Sequence, residues 1–162
     1  MVCLGNICRS PLAEGILQHK AAKAGLNWTI ESAGTNGYHT GEAPHVLSQK
    51  VAKHYGLDIC QQRSRRFVAE DFKKYDKIYA LAGDVLQEMR RMAKQHFDPS
   101  KAMLLMNELY PGRDMDVPDP YYGNEPGYHD VYKMIDEVCD KIIENAIRSG
   151  TESLAADSAK LK

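Results

Sequence analysis

The segment from Cys3 to Ser10 constrains the fold of this chain more than any other. It reads Cys-Leu-Gly-Asn-Ile-Cys-Arg-Ser, and Pro11 follows it. Ser10 can cap a helix and Pro11 suits a first helical turn, so the segment is a loop that leads directly into a helix. Gly5 and Asn6 tolerate positive φ values, which lets several backbone N–H groups turn inward and form a nest at the helix N-terminus. The segment therefore predicts a loop that binds an anion the size of phosphate.

Three side chains of this loop could act on a bound phosphate. The inward N–H groups and Arg9 favour the thiolate form of Cys3, which is the nucleophilic form of a cysteine. Arg9 can hold two phosphate oxygens at once with its planar guanidinium group. Ser10 can donate a hydrogen bond to the thiolate or to a leaving sulfur. A buried cysteine is by itself usually a core residue, but the complete spacing, from the cysteine through the arginine and serine to the helix, favours a catalytic interpretation.

Helical and extended segments alternate along the rest of the chain, which predicts a parallel sheet covered by helices. The predicted helices span about residues 11–24, 44–55, 84–94 and 128–148, with a short one that includes Phe67 and Phe72, and the predicted strands span residues 28–32, 77–81 and 101–106. Residues 110–128 carry four prolines and are predicted to form a long loop. Loops of this length are usually functional or disordered, and the aromatic residues in this one argue against disorder.

A chain of 162 residues is long enough for one domain with its own core. We expect this domain to span residues 1–149 and a frayed tail to span residues 150–162. Only Met1 and Val2 precede Cys3, although a central parallel strand usually has about 5 apolar residues. We therefore expect the strand before the loop either to be a two-residue stub or to continue upstream of Met1.

Charge and composition exclude several classes of protein. The chain has 21 Lys and Arg against 22 Asp and Glu, so we expect no nucleic-acid partner. Its apolar runs are shorter than the ~20 residues of a membrane span, and its N-terminus does not resemble a signal peptide, which together predict a soluble, cytoplasmic protein. The four cysteines are expected to be reduced thiols. No spacing of histidines and cysteines matches a zinc site, and we expect no metal.

At the residues of the first loop the sequence resembles the low-molecular-weight protein tyrosine phosphatases. The resemblance covers nearly the whole chain and includes Cys3 to Glu14, Ser32 to Thr35, Tyr38, Gly41, Pro44, Arg63 to Arg65, Asp119 to Tyr121 and the last helix. It implies a doubly wound α/β fold, with four parallel strands, helices on both faces and the phosphate loop after the first strand. It also implies a cysteinyl-phosphate intermediate and no metal or cofactor.

The resemblance implies a role for each candidate residue. Cys3 would be the nucleophile, Arg9 the phosphate clamp and Asp119 the general acid and base that serves the leaving tyrosine oxygen. The other predicted substrate-binding residues are Leu4, Gly5, Asn6, Ile7, Cys8 and Ser10 of the loop, and Tyr38, Tyr121 and Tyr122, whose rings suit a flat phenyl group. The implied partners are a tyrosine-phosphorylated protein and phosphate or a similar oxyanion. The oligomeric state is left open.

Three residues depart from the pattern of this family. Many relatives carry an aspartate at the position of Ala82, some carry a histidine that supports the phosphate loop at the position of Gln62, and an aspartate is frequent at the position of His45. None of these residues is the nucleophile, the clamp or the acid. We therefore expect them to tune activity and not to abolish it.

Three other functions remain open at this point. An arsenate reductase of the same fold would need further cysteines after the third strand, and residues 82–97 contain none. A protein-arginine phosphatase tends to have threonine at the position of Ile7, and isoleucine favours an aryl group. A non-catalytic phosphate-binding module would not need the nucleophile, clamp and acid together.

The phosphatase is also expected to be redox-sensitive, because the curled loop brings Cys8 near Cys3, within reach of a disulfide.

Overall fold

A computed structural model of the chain describes the backbone of residues 1–160 and the side chains of residues 1–151, 158 and 159. Within these residues four parallel strands form one sheet: β1 (Val2–Cys3), β2 (Ala33–Gly34), β3 (Ile78–Ala80) and β4 (Ala102–Leu104). Their order in the sheet is β2-β1-β3-β4. The predicted four-stranded parallel sheet is confirmed.

Helices connect these strands: α1 (Arg9–Lys23), α2 (Val46–His54), α3 (Asp71–Lys74), α4 (Gly83–Ala93) and α5 (Glu125–Lys160), with short 3₁₀ turns at Lys94–His96 and Leu105–Glu108. The end of α1 shows how local sequence sets a boundary. Gly25 adopts a φ of 73°, and its N–H donates to the carbonyl of Ala22 at 3.1 Å. A glycine in this conformation closes a helix without steric cost. Within residues 1–160, no helix combines the length and the apolar character that crossing a membrane requires.

The sheet separates two apolar cores. Successive residues of a strand point to opposite faces, so Val2 and Ile78 pack with α4 on one face, whereas Cys3 and Tyr79 pack with α1, α2 and α5 on the other. Each face of the sheet is therefore covered by helices, as predicted.

One prediction about secondary structure differs from the fold. Residues 28–32 are not a strand, because β1 begins at Val2 and its partner on β2 is Ala33, so the paired ladder starts after the predicted segment.

Helix α5 continues through residues 150–160. This segment contains three alanines and a leucine, which are strong helix formers. Residues 161 and 162 lie outside the described residues, and the frayed tail and the domain boundary at residue 149 stay predictions.

The strand order also determines where a ligand can bind. The chain leaves β1 for β2 on one side and then returns to β3 on the other, so β1 lies at the point where the strand order reverses. Open parallel sheets bind ligands at the carboxyl ends of their strands, beside this point. The loop from Cys3 to Ser10 leaves β1 there.

Candidate active site

The first loop lies directly against the end of β2. A Cβ atom at Gly34 would come within 2.9 Å of the Leu4 oxygen and the Gly5 carbonyl carbon, and real Cβ atoms do not approach backbone that closely. Glycine is therefore required at position 34, because the loop and the strand touch there.

Neighbouring segments bind the carbonyl oxygens of the loop. Ser64 Oγ donates to the Gly5 oxygen at 3.2 Å, and the His45 N–H donates to the Ile7 oxygen at 2.7 Å. Because these carbonyls are turned outward, the loop can direct N–H groups toward its centre. This is the arrangement of a backbone anion nest.

Asn6 fixes the conformation of the loop. It is 2% exposed and has a φ of 55°, a left-handed conformation that asparagine tolerates better than most residues. Its Oδ1 accepts the Arg65 N–H at 3.0 Å, and its Nδ2 donates to Ser10 Oγ at 2.8 Å and to Ser32 Oγ at 2.9 Å. The amide thus uses both of its donors and its acceptor inside the protein.

The side chain of Ser10 connects these hydrogen bonds to Cys3. Ser10 Oγ accepts from Asn6 and lies 3.0 Å from Cys3 Sγ, where either atom can be the donor; when Cys3 is a thiolate, Ser10 is the donor. The backbone N–H of Asn6 also donates to Cys3 Sγ, at 3.3 Å. Cys3 is 2% exposed, so the polar groups around its sulfur come from the loop itself and from the start of α1.

The other branch of this network ends on a carboxylate. Ser32 accepts from Asn6 and donates its own O–H to Glu14 Oε1 at 2.9 Å. Burial raises the pKa of Glu14 above its ordinary value, and the Ser32 hydrogen bond opposes this shift. The sequence motif that contains Ser32 therefore contributes to the hydrogen bonds that hold the loop.

Asp71 holds the side chain of Arg65, whose backbone N–H binds Asn6. Its guanidinium donates to both carboxylate oxygens of Asp71, at 3.1 and 3.2 Å, and Asp71 is 6% exposed. This two-point pairing fixes the backbone whose N–H binds Asn6. Arg65 thus serves the site through its main chain, which the cluster of arginines in the sequence did not reveal.

Arg9 is the first residue of α1 and is 4% exposed. Its Nη1 donates to the Val117 oxygen at 3.0 Å, and its Nη2 lies 3.6 Å from Asp119 Oδ2. The other oxygen of Asp119 accepts the Tyr121 N–H at 3.1 Å. The structure therefore brings Asp119 to the guanidinium across more than a hundred residues of sequence. We call residues 109–124, which carry this aspartate, the acid loop.

Aromatic side chains form the rim of the site. The ring centroid of Tyr121 lies 5.0 Å from that of Tyr122, 5.9 Å from that of His45 and 6.5 Å from that of His39. Tyr38 is 86% exposed. The ring of His39, its neighbour in sequence, packs near Tyr121. No local pattern favoured His39 over Tyr38 as a residue of the rim.

The remaining predicted loop residues divide between surface and core. Leu4 is 45% exposed, whereas Ile7 is 8% exposed and packs in the core of α1, α2 and α5. Cys8 is also buried, with its Sγ 3.5 Å from Tyr128 Oη. Burial raises the pKa of Cys8 to about 11, so Cys8 is a protonated thiol at neutral pH.

Two of the residues that depart from the family pattern have structural partners. Gln62 donates to the Pro11 oxygen at 3.0 Å and so supports the first turn of α1. His45 Nδ1 accepts the Leu47 N–H at 3.1 Å and caps α2, and its ring stacks on Tyr128 with centroids 5.4 Å apart. Among the side chains that the structure describes, no group of three or more His, Cys, Asp or Glu residues is placed to hold a metal ion.

A cysteine and an arginine in one loop at the carboxyl edge of a parallel sheet, with an aspartate beside the arginine, are typical of phosphatases that use a cysteine nucleophile. The sequence profile of the family described as low molecular weight phosphotyrosine protein phosphatase matches residues 1–157. The chain belongs to this family, and it is accordingly a phosphoric monoester hydrolase. The predicted family and enzyme class are confirmed.

Individual relatives agree with this assignment. A low molecular weight protein-tyrosine-phosphatase of Streptomyces coelicolor is 38% identical over an alignment of 161 positions that covers 96% of this chain and 96% of that one. A protein tyrosine phosphatase of Entamoeba histolytica, solved with Hepes in its active site, superimposes with a TM-score of 0.83 at 33% identity, covering 92% of this chain and 96% of that one. An arginine phosphatase of Drosophila superimposes with a TM-score of 0.81 at 33% identity, covering 90% and 94%.

Proposed function

We propose that the protein hydrolyses phosphotyrosine in proteins through a cysteinyl-phosphate intermediate, with Cys3 as nucleophile, Arg9 as clamp and Asp119 as general acid and base. The observation that carries this proposal is the position of Cys3 Sγ, which lies 3.0 Å from Ser10 Oγ and 3.3 Å from the Asn6 nitrogen that donates to it. A thiolate at this position would accept from both groups and would be the nucleophile.

In the first step the thiolate attacks phosphorus and the bond from phosphorus to the tyrosine oxygen breaks. Asp119, in its protonated form, gives its proton to the departing oxygen. In the second step water attacks the phosphorus, Asp119 takes a proton from that water, and the bond between sulfur and phosphorus breaks. Ser10, whose O–H is directed at Cys3 Sγ, stabilises the sulfur as it leaves.

Arg9 would bind the equatorial oxygens of the phosphoryl group. Its hydrogen bond to the Val117 oxygen fixes the guanidinium before substrate arrives, so little side-chain entropy is lost on binding. A bound phosphate would also pair with the Arg9 guanidinium in place of Asp119.

The predicted substrate is a phenyl phosphate because of the character of the rim. Tyr121 is 42% exposed and Leu4 is 45% exposed, so both can contact a flat ring, and the remaining loop residues Gly5, Asn6, Ile7 and Cys8 would surround the phosphate with Ser10. The solved arginine phosphatase supports a second candidate, phosphoarginine. Ile7 offers no polar group to a guanidinium, and we therefore favour the aryl substrate.

The reaction also suggests where the protein works. Cys3 must be reduced to act as a nucleophile, and all four cysteines, Cys3, Cys8, Cys60 and Cys139, are free thiols. We therefore place the enzyme in the cytoplasm, where thiols stay reduced. Its partner would be a tyrosine-phosphorylated protein.

The decisive assay compares peptides that carry phosphotyrosine, phosphoserine or phosphoarginine, with the wild type and with Cys3→Ser. We expect the highest kcat/KM for phosphotyrosine and no turnover of any substrate by Cys3→Ser. A preference for phosphoarginine would favour the second candidate. Arsenate reduction coupled to thioredoxin would identify a reductase, and phosphate binding without turnover by the wild type would identify a binding module.

A further inference from the structure

Helix α4 begins without a side-chain cap of its own. Its N-cap residue is Ala82, which has no side-chain hydrogen-bond acceptor. The N–H of Gly83, the first residue of the helix, instead donates to Asp116 Oδ1 at 2.8 Å. The first N–H groups of a helix lack partners within the helix and carry partial positive charge, so they bind a carboxylate well.

Asp116 belongs to the acid loop and stands three residues before Asp119. Val117 lies between them and is fully buried. Its N–H donates to the Leu81 oxygen at 2.8 Å, and its oxygen accepts from Arg9 at 3.0 Å. Asp116 and Val117 thus attach the acid loop to the junction of β3 and α4 at two consecutive residues.

Beyond this attachment the carboxyl group of Asp119 accepts the N–H of Tyr121, a residue of the same loop, at 3.1 Å, and it lies near Arg9. Its distance of 3.6 Å from Arg9 is longer than a normal hydrogen bond, and its side chain is 34% exposed. The direction in which the acid loop leaves Val117 therefore determines where the carboxyl group of Asp119 lies. That direction depends on what holds the residue just before Val117.

We propose that Asp116 is a positioning residue for the general acid. Its hydrogen bond to the N-terminus of α4 fixes the base of the acid loop, so that Asp119 faces the leaving oxygen. This inference rests on the proposed role of Asp119 in phosphotyrosine hydrolysis. It also explains how α4 is capped in a chain that has Ala82 at the N-cap.

The test compares Asp116→Ala with Asp116→Asn and with a matched control, Asp84→Ala. Asparagine keeps an oxygen that accepts the Gly83 N–H but removes the charge. Asp84 lies in the first turn of the same helix, where its Oδ1 accepts the Val85 N–H at 2.9 Å, but it has no link to the acid loop. The control therefore removes a carboxylate from the same helix end without releasing the loop.

The readout is kcat/KM for a phosphotyrosine peptide and for p-nitrophenyl phosphate, whose leaving group needs little help from an acid. For Asp116→Ala we expect a loss of about tenfold on the peptide, as for the loss of one hydrogen bond of about 1.4 kcal/mol, and a loss of under about twofold on p-nitrophenyl phosphate. Asp116→Asn should restore most of the activity on the peptide. Asp84→Ala should keep the wild-type ratio of the two substrates.

A double-mutant cycle separates positioning from a general structural effect. If Asp116 acts through Asp119, adding Asp116→Ala to Asp119→Ala will cause no further loss on the peptide. A further loss in that background, an equal loss on both substrates in the single variant, or the same substrate dependence in Asp84→Ala would overturn the inference. Absence of any substrate dependence in Asp119→Ala itself would instead refute the proposed function.

Discussion

Replacing Asn6 by alanine tests how the phosphate loop is held. The change removes three buried hydrogen bonds, to Ser10, Ser32 and the Arg65 N–H. Each is worth about 1 kcal/mol, and alanine at a φ of 55° adds about 1 kcal/mol of backbone strain. We expect a loss of about 4 kcal/mol in the free energy of unfolding, a large part of the ~5 to 15 kcal/mol of a typical domain. Urea unfolding followed by circular dichroism measures it.

Two further variants divide this loss into its causes. Asn6→Gly relieves the strain but not the missing hydrogen bonds, so it should be about 1 kcal/mol more stable than Asn6→Ala. Asn6→Asp keeps the acceptor for the Arg65 N–H and the shape, but it no longer donates to Ser10 and it places a charge near the sulfur. We expect its kcat/KM to fall at least about tenfold. If Asn6→Ala lost under about 1 kcal/mol and kept wild-type turnover, the network would not support the loop.

Four other outcomes follow from the site. Asp119→Ala should reduce kcat/KM for phenyl phosphate by about a hundredfold or more and affect p-nitrophenyl phosphate much less; an equal loss on both would exclude Asp119 as the acid. Hydrogen peroxide should inactivate the enzyme reversibly, and Cys8→Ala should recover less completely under thiol; equal recovery would exclude protection by Cys8. Burial raises the pKa of Cys8 to about 11 and that of Cys139 to about 12, so iodoacetate at neutral pH should alkylate Cys3 before either, as peptide mass spectrometry will show. Burial raises the pKa of Glu14 above 4.5, so the native state keeps a proton that the unfolded chain has released. The free energy of unfolding of the wild type should therefore decline relative to that of Glu14→Gln as pH rises above about 4.5. Parallel stability curves for the two proteins would contradict this.

The first loop could be predicted from sequence because its parts are adjacent in the chain. The nest, the arginine and the following helix lie within a few residues of Cys3, and local conformation decides their geometry. The partners of Asn6 are different, since Ser32 and Arg65 lie 26 and 59 residues away and arrive only when β2 pairs with β1. No local pattern contains that information.

The error in secondary structure has the same origin. Residues 28–32 alternate like a strand, but a strand is defined by its partner, and β1 pairs with the residues that follow them. The alternation of apolar and polar residues was therefore not enough to locate β2.

The position of Asp119 in the fold could not be predicted from the local sequence either. Asp119 in a proline-rich loop looks like a turn former by itself, and only resemblance singled it out. Its placement depends on the contact between Arg9 and the Val117 oxygen, 108 residues apart, and on the contact of Asp116 with α4. Both contacts require the sheet to be assembled.

The proposed mechanism requires Cys3 to carry the phosphoryl group during turnover. The most direct measurement is rapid acid quenching of the enzyme during turnover of p-nitrophenyl phosphate, followed by mass spectrometry of its peptides. Asp119→Ala serves best with this substrate, because its leaving group needs little help from an acid, whereas loss of the base should slow breakdown of the intermediate. We predict one phosphoryl group on the peptide that contains Cys3, and none when Cys3→Ser is added. A phosphoryl group on any other residue, or near-normal hydrolysis by Cys3→Ser, would contradict the mechanism.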